Sequence, residues 1–437
     1  MTAILIGSVI LSTCLIHWFV SPRWRNFVLL CGSLSIGIIF WPVTVAVVLA
    51  LAILQHYFAD RIPSWIMISI LLLPLVVQKL WETSVLGLSY GSLMALGLYL
   101  DTRRGLVTSP TFEQRFGFAT LFPVIPVGPI ERWGNLRQAF KSERKFRSEM
   151  ILSGILLIAF GLFKKIVIGD RLSGLAVDPN QNFLFYSSMS LWAYFGLSLL
   201  QIYCEFSGII HIARGLSRLY GIEIMENFDR PYLAESIQDI WNRWHISLVS
   251  WLRDHVYTPI ALRTRSVVLA SSTVLLLVGL WHGLKWQMVA WSIYWVIPFW
   301  IAVALRERGI RPNLPAFLNR LICILIMAYS TVFLSPKTWG DLVIAVERSL
   351  FLGQPAAAEV RPLIISDFDL AISLLGFIVV LLFEGQMSRI GIAYSNPEIA
   401  TVTTRVKLAT AVLAIFFVYL TVAFGVSGWQ SFVYMRY

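Results

Sequence analysis

The sequence predicts an all-α polytopic integral membrane protein, and three observations carry that prediction. The 437 residues are 57% hydrophobic and only 14% charged, against about 25% charged in a soluble globule. The apolar residues are gathered into a dozen runs, many close to the roughly 20 residues that span a bilayer. Trp, Pro, Arg and Lys punctuate these runs, as expected where chains leave lipid for headgroups. A soluble multidomain enzyme is excluded, because too little polar surface remains to cover it. Dividing the apolar content by one span's length bounds the crossings at about twelve.

The first run, 3–20, precedes Ser21-Pro22-Arg23-Trp24-Arg25. Its basic residues follow rather than lead, and no small-x-small cleavage site appears, so it reads as a span with its N-terminus outside. Further runs lie at 26–40, 43–58, 64–80, 84–100, 150–168, 186–206, 267–282, 286–304, 318–335, 368–385 and 406–426. The pair 26–40 and 43–58 is broken by Trp41-Pro42. About eleven crossings are expected, with one or two segments re-entrant or interfacial. No repeat and no low-complexity linker divides the chain, so residues 1–437 read as a single membrane domain.

Two stretches interrupt the hydrophobic pattern. Between Phe122 and Ile130 stand three prolines and Gly128, which deny a regular helix and make 122–130 a candidate cavity wall. A basic run from Arg132 to Arg147 follows it. In the second stretch Ile237, Trp241, Trp244, Leu248, Trp251 and Leu252 recur at helical spacing. Gln238, Asp239, Arg243, Ser250 and Arg253 stand opposite. That pattern predicts one amphipathic helix at the membrane interface.

The net charge of +11 would suggest nucleic acid in a soluble protein. Here it reflects cytoplasmic loops and headgroups, and no nucleic-acid partner is expected. Cys14, Cys31, Cys204 and Cys323 are scattered in apolar runs and read as small buried residues, with no C-x-x-C pair. Of the six histidines, His17 and His56 sit at run ends beside Trp18 and Tyr57 and read as interface anchors. His282 ends an apolar run between Gly279 and Gly283. An imidazole there is a satisfied structural group, a catalytic base or an ion ligand. His245 borders the apolar face of the amphipathic helix. Its ten-residue spacing to His255 is not that of a helical metal pair, so no metal site is expected. Glu205 shares a helical face with Gln201 and Gly208. It is a functional candidate, or a buried carboxylate paired with Arg214 or Arg230.

Several segments together resemble the membrane-bound O-acyltransferase family, in the bacterial branch that acylates alginate and teichoic acids. Residues 161–172 are similar to G-L-F-K-K-x-x-I-A-D-R-L. Glu226–Tyr232, Trp241–Leu248 and Trp251–Asp254 are similar to E-N-F-N-x-P-Y, W-R-R-W-H-I-S-L and W-L-R-D. Leu280–Gly283 matches L-W-H-G, Phe122-Pro123 with Gly128–Ile130 matches F-P…G-P-I, and Phe432–Tyr437 resembles F-I-Y-F-x-F. One departure is Glu205–His211, where the branch has D-F-S-G-Y-S-D.

The resemblance implies a helical fold with short re-entrant helices around a tunnel. It implies an acyl transfer from acetyl-CoA toward hydroxyls of an exported polysaccharide, with an SGNH-type extracytoplasmic acyltransferase as partner. His282 matches the family's near-invariant histidine and His245 its second position. Trp241, Asn242, Arg243, Glu205 and Ser207 are the substrate-binding candidates in the matching segments. Arg132–Arg147 with Arg243, Arg253, Arg263 and Arg265 would hold coenzyme phosphates, or serve membrane topology alone. The alternatives are D-alanyl transfer from a carrier-protein thioester, and a transporter or scaffold with no chemistry.

Overall fold

The computed structural model describes residues 2–81, 85–141, 144–173, 183, 186–310, 314–350, 365–395 and 403–426. The protein is all-α. Among the described residues the only β pairing is an isolated antiparallel bridge between Phe228 and Trp244. Among the described residues, six helices are long and apolar enough to cross a membrane: Ser148–Leu172, Ser188–Leu219, Trp286–Glu307, Ala316–Phe333, Asp367–Met387 and Thr404–Phe424. Four shorter apolar helices accompany them, at Gly7–Phe19, Pro42–Phe58, Ser64–Leu80 and Val267–His282. The tail 432–437 lies outside the described residues.

The outer faces explain the composition. On Trp286–Glu307, Val289, Ile293, Ile297 and Ile301 recur every four residues and are all exposed. On Thr404–Phe424 the exposed set is Leu408, Val412, Ile415, Tyr419 and Val422. Apolar stripes this long are liabilities in water and ordinary surface in lipid. The protein is a multi-pass membrane protein.

The chain forms two compact units. One comprises Met1–Phe160, Ile210–Glu226 and Met387–Phe416; the other comprises Gly161–Ile209, Asn227–Gln386 and Phe417–Tyr437. In the first, Pro42 takes the first turn of Pro42–Phe58, where its missing N–H costs nothing, so Trp41-Pro42 separates two helices. Leu88–Arg103 is an interior helix with twelve buried residues. Two polar contacts tie it to its neighbours: Gln55 donates to the Ala95 carbonyl at 2.8 Å, and Ser89 donates to Gln78 at 3.0 Å. Segment 122–130 is irregular, as its prolines dictate. It is not a wall of the cavity described below. Phe122, Val124 and Ile125 are buried, and the Phe122 N–H donates to Ser33 at 3.4 Å. His17 is no interface anchor either; it is fully buried, with Nδ1 3.1 Å from the Arg25 carbonyl, whereas His56 is exposed.

In the second unit, the helical path widens over Phe163–Gly169 into a π turn that carries the paired lysines. Lys164 and Lys165 are both fully buried and point to different carboxylates. Lys164 meets Glu384 at 2.5 Å, and Glu384 also accepts from the Tyr203 and Tyr232 hydroxyls at 2.6 and 2.8 Å. Lys165 pairs with Asp170 and, at 3.1 Å, with Glu205. Charges this deep persist only when paired. Gly208 permits the close packing: a Cβ there would stand 2.8 Å from the Gly161 carbonyl oxygen. Cys204 and Cys323 are buried as expected, but Cys31 is exposed.

Candidate active site

The site is built around a helix that breaks. The predicted amphipathic helix is two short ones, Ile237–Arg243 and Ile246–Leu252. Ser236 caps the first by accepting from the Asp239 N–H at 3.1 Å. The chain then turns at Trp244 and His245, and His245 takes φ 47°, in the left-handed region.

The break is imposed by residues 227–229. The Asn227 carbonyl accepts from Ile246 N–H at 3.0 Å, and Asn227 Oδ1 accepts from Ser247 N–H at 2.9 Å. The Arg243 carbonyl accepts from Asp229 N–H at 3.0 Å. A bridge pairs Phe228 with Trp244, whose rings pack edge to face at 5.1 Å. Left-handed backbone is costly for most residues, histidine being among the more tolerant. These bonds hold it in place.

The turn drives His245 into the interior at 2% exposure. Its ring lies between Phe206, at 5.0 Å, and Trp281, at 5.4 Å. Among the described residues neither ring nitrogen has a hydrogen-bond partner. Burial lowers its pKa to about 3, so the imidazole is neutral at pH 7.

His282 is the last residue of Val267–His282. The tight turn into Trp286–Glu307 is set by Gly279, where a Cβ would collide with Ser292 and stand 2.5 Å from the Met288 carbonyl oxygen. Gly283 plays no such part. It is extended, and a Cβ there would meet Met288 at an ordinary 3.6 Å. The His282 ring, half-buried, lies 4.9 Å from Trp281 and 5.8 Å from Trp291.

Both histidines line one cavity of about 90 Å³. Trp241, Trp244, Trp291 and Trp295 share the lining, with Met288, Met327 and aliphatic side chains beside them. Ser330 and Thr331 supply the hydroxyls. The Trp241 and Trp295 rings meet at 5.0 Å, and their buried indole N–H groups have no partner among the described residues. The cavity is apolar-walled, aromatic and of a size for a small acyl group. The polar side-chain groups of its lining residues are two imidazoles, four indole N–H groups and two hydroxyls.

Of the substrate-binding candidates, only Trp241 lines this cavity. Asn242 is exposed. Arg243 bonds Asp239 at 2.9 Å and Asp229 at 3.3 Å, bracing the break. Ser207 donates to the Tyr203 carbonyl. Glu205 pairs with Lys165 rather than with Arg214 or Arg230; Arg214 binds Glu223 and Glu226, and Arg230 binds Asp229. Trp291, Trp295, Ser330 and Thr331 escaped the sequence reading. The one signal was the i, i+4 spacing of Trp291 and Trp295 within an apolar run. Among the described residues, no group of three His, Cys, Asp or Glu side chains is placed to hold a metal ion.

A family model described as MBOAT, membrane-bound O-acyltransferase family, matches residues 65–334. That range contains every residue lining the cavity. The chain is 30% identical over 242 residues to a probable alginate O-acetylase of Azotobacter vinelandii, covering 52% of this chain and 45% of that protein. It is 28% identical over 262 residues to the teichoic acid D-alanyltransferase of Bacillus subtilis, covering 51% and 63%. It is 30% identical over 181 residues to the peptidoglycan O-acetyltransferase of Helicobacter pylori, covering 40% and 34%. The chain spans about half the length of the curated relatives it matches. By the extent of the family match, which takes in the whole of the cavity wall, this chain belongs to the membrane-bound O-acyltransferase family.

Proposed function

We propose that the chain is an O-acyltransferase of a bacterial plasma membrane that passes acetyl from acetyl-CoA toward hydroxyls of an exported polysaccharide. The observation that carries this is the meeting of His245 and His282, from separate sequence segments, on one small aromatic-walled cavity. In this reading the cavity holds the acetyl thioester. The acceptor oxygen attacks the thioester carbonyl as His282 takes the hydroxyl proton. The carbon–sulfur bond then breaks, and the departing sulfur is protonated to free coenzyme A. An imidazole is matched to this work, having an unperturbed pKa near 6.5. His245, neutral and held against Phe206 and Trp281, orients the acceptor or stabilises the charge developing on the carbonyl oxygen. Trp241 closes the acyl side of the cavity.

The wider architecture we infer is one membrane domain over residues 1–437. It has about eleven crossings and re-entrant helices around a tunnel. An SGNH-type acyltransferase on the far side completes delivery. The likeness to a D-alanyltransferase favours a second reading, in which the donor is a D-alanyl carrier-protein thioester.

The test is the ester-linked acetyl content of exported polysaccharide. Cells lacking the chromosomal copy express wild type or His282→Ala at matched membrane abundance. Removal of a positioned base lowers the rate by about 10²–10⁴, so ester acetyl disappears in the variant. Acetyl lost in the deletion but restored by His282→Ala marks a scaffold or transporter. Acetyl unaffected by the deletion points to another acyl group, and D-alanyl ester is then assayed in the same strains.

A further inference from the structure

A second cluster lies in the unit built from Met1–Phe160, Ile210–Glu226 and Met387–Phe416, and it is cationic. Arg25 opens the helix Arg25–Phe40, and Arg144 precedes Ser148–Leu162. The Arg25 guanidinium donates through Nη1 to the Arg144 carbonyl and stands 4.8 Å over the Trp18 ring. Arg144, 7% exposed, donates through Nη1 to the Ala139 carbonyl at 2.5 Å. His17, with Nδ1 3.1 Å from the Arg25 carbonyl oxygen, fixes that backbone from behind. Three guanidinium nitrogens are then left over: Arg25 Nε, Arg144 Nε and Arg144 Nη2 are buried without a partner among the described residues.

No described carboxylate forms an ion pair with them. Two described carboxylates of the same unit are engaged elsewhere: Glu149 with Lys407, and Glu223 with Arg214 and Arg218. Burial first, and the Arg25 charge second, hold the Arg144 guanidinium below its ordinary range, at about 10. A buried and a half-buried guanidinium side by side, with no paired anion among the described residues, are a costly arrangement. An anion with several acceptor oxygens removes the cost, and the planar forks of arginine match the oxygens of phosphate. Trp18, its indole N–H bound to the Leu219 carbonyl at 2.8 Å, walls the site. Gly221 lets that ring pack close to the backbone, since a Cβ there would stand 3.2 Å from Trp18 and 3.5 Å from Arg144.

We propose that Arg25 and Arg144, set by His17 and Trp18, form a binding site for a single phosphate group. Phosphate of this kind comes from an anionic lipid headgroup or from a soluble phosphate ester, and where that ester is coenzyme A the site rests on the proposed acyl transfer. The test uses purified full-length protein and the midpoint of thermal unfolding, since a ligand that binds the folded state raises it. One arm titrates phosphatidic acid into phosphatidylcholine nanodiscs. The other adds inorganic phosphate or coenzyme A at constant ionic strength. A rise with phosphatidic acid alone assigns a lipid phosphate; a rise with a soluble compound assigns a soluble source. Either supports the site if Arg144→Gln weakens the apparent affinity by about 10–100-fold while Lys145→Gln, an exposed neighbour, leaves it unchanged. Arg25→Gln, at a half-buried position, gives the same readout should Arg144→Gln fail to fold. Absence of any phosphate response, or equal weakening by Lys145→Gln, overturns the proposal.

Discussion

At the scale of single residues, His245 combines two properties that can be separated. Its backbone sits in the left-handed region, and its ring is buried without a polar partner among the described residues. Asparagine tolerates that backbone and removes the imidazole, while valine adds steric strain. His245→Asn is therefore expected to keep the wild-type unfolding midpoint near neutral pH and to lose ester acetylation. His245→Val is expected to lose both, its fold weakened by a further 1–2 kcal/mol or so. An active His245→Asn would remove the histidine from the chemistry. The acid limb of stability gives an independent check. The folded-state pKa, about 3, lies below the ordinary 6.5. Between those values the unfolded chain binds the extra proton, so stability is full above 6.5 and falls as the pH drops through this window. The slope approaches about 1.4 kcal/mol per pH unit for one group. His245→Asn should lower the midpoint less steeply than wild type on acidification.

At the scale of elements, legibility followed how local each cause was. The apolar runs and the Trp41-Pro42 break were legible, because bilayer thickness and proline's missing N–H act on the segment that carries them. The break at Trp244–His245 was not. It depends on Asn227 and Asp229, and the periodicity of Ile237–Leu252 alone is that of one helix. Glu205 was legible as a buried carboxylate but not its partner, since Lys165 reaches it from another helix through the widened turn Phe163–Gly169. The same turn sends Lys164 to Glu384, which supports a double substitution. Glu384→Gln leaves the buried ammonium without that carboxylate and should cost about 3–5 kcal/mol. Adding Lys164→Met removes the stranded charge and should return a large part of the loss. Denaturation in micelles reads both, and additive losses would show that the two side chains do not act as a pair.

For the whole molecule, the composition argument and the outward faces of the helices make one claim, that lipid rather than water is the solvent. Two isoleucines isolate that claim because they are almost equally exposed, Ile297 at 52% and Ile310 at 50%. Ile297 lies within Trp286–Glu307, on the stripe with Val289, Ile293 and Ile301, whereas Ile310 follows the turn at Arg308 and Gly309. In water, lysine at either site would be equally harmless. In a bilayer, a charge at mid-span costs about 2.5–3.5 kcal/mol on insertion scales, while one beyond the helix end reaches the headgroups. Ile297→Lys should therefore reduce the fraction of chain integrated into membranes, and Ile310→Lys should leave it unchanged, as read by carbonate extraction at matched synthesis. Equal behaviour of the two variants would mean that Trp286–Glu307 does not face lipid.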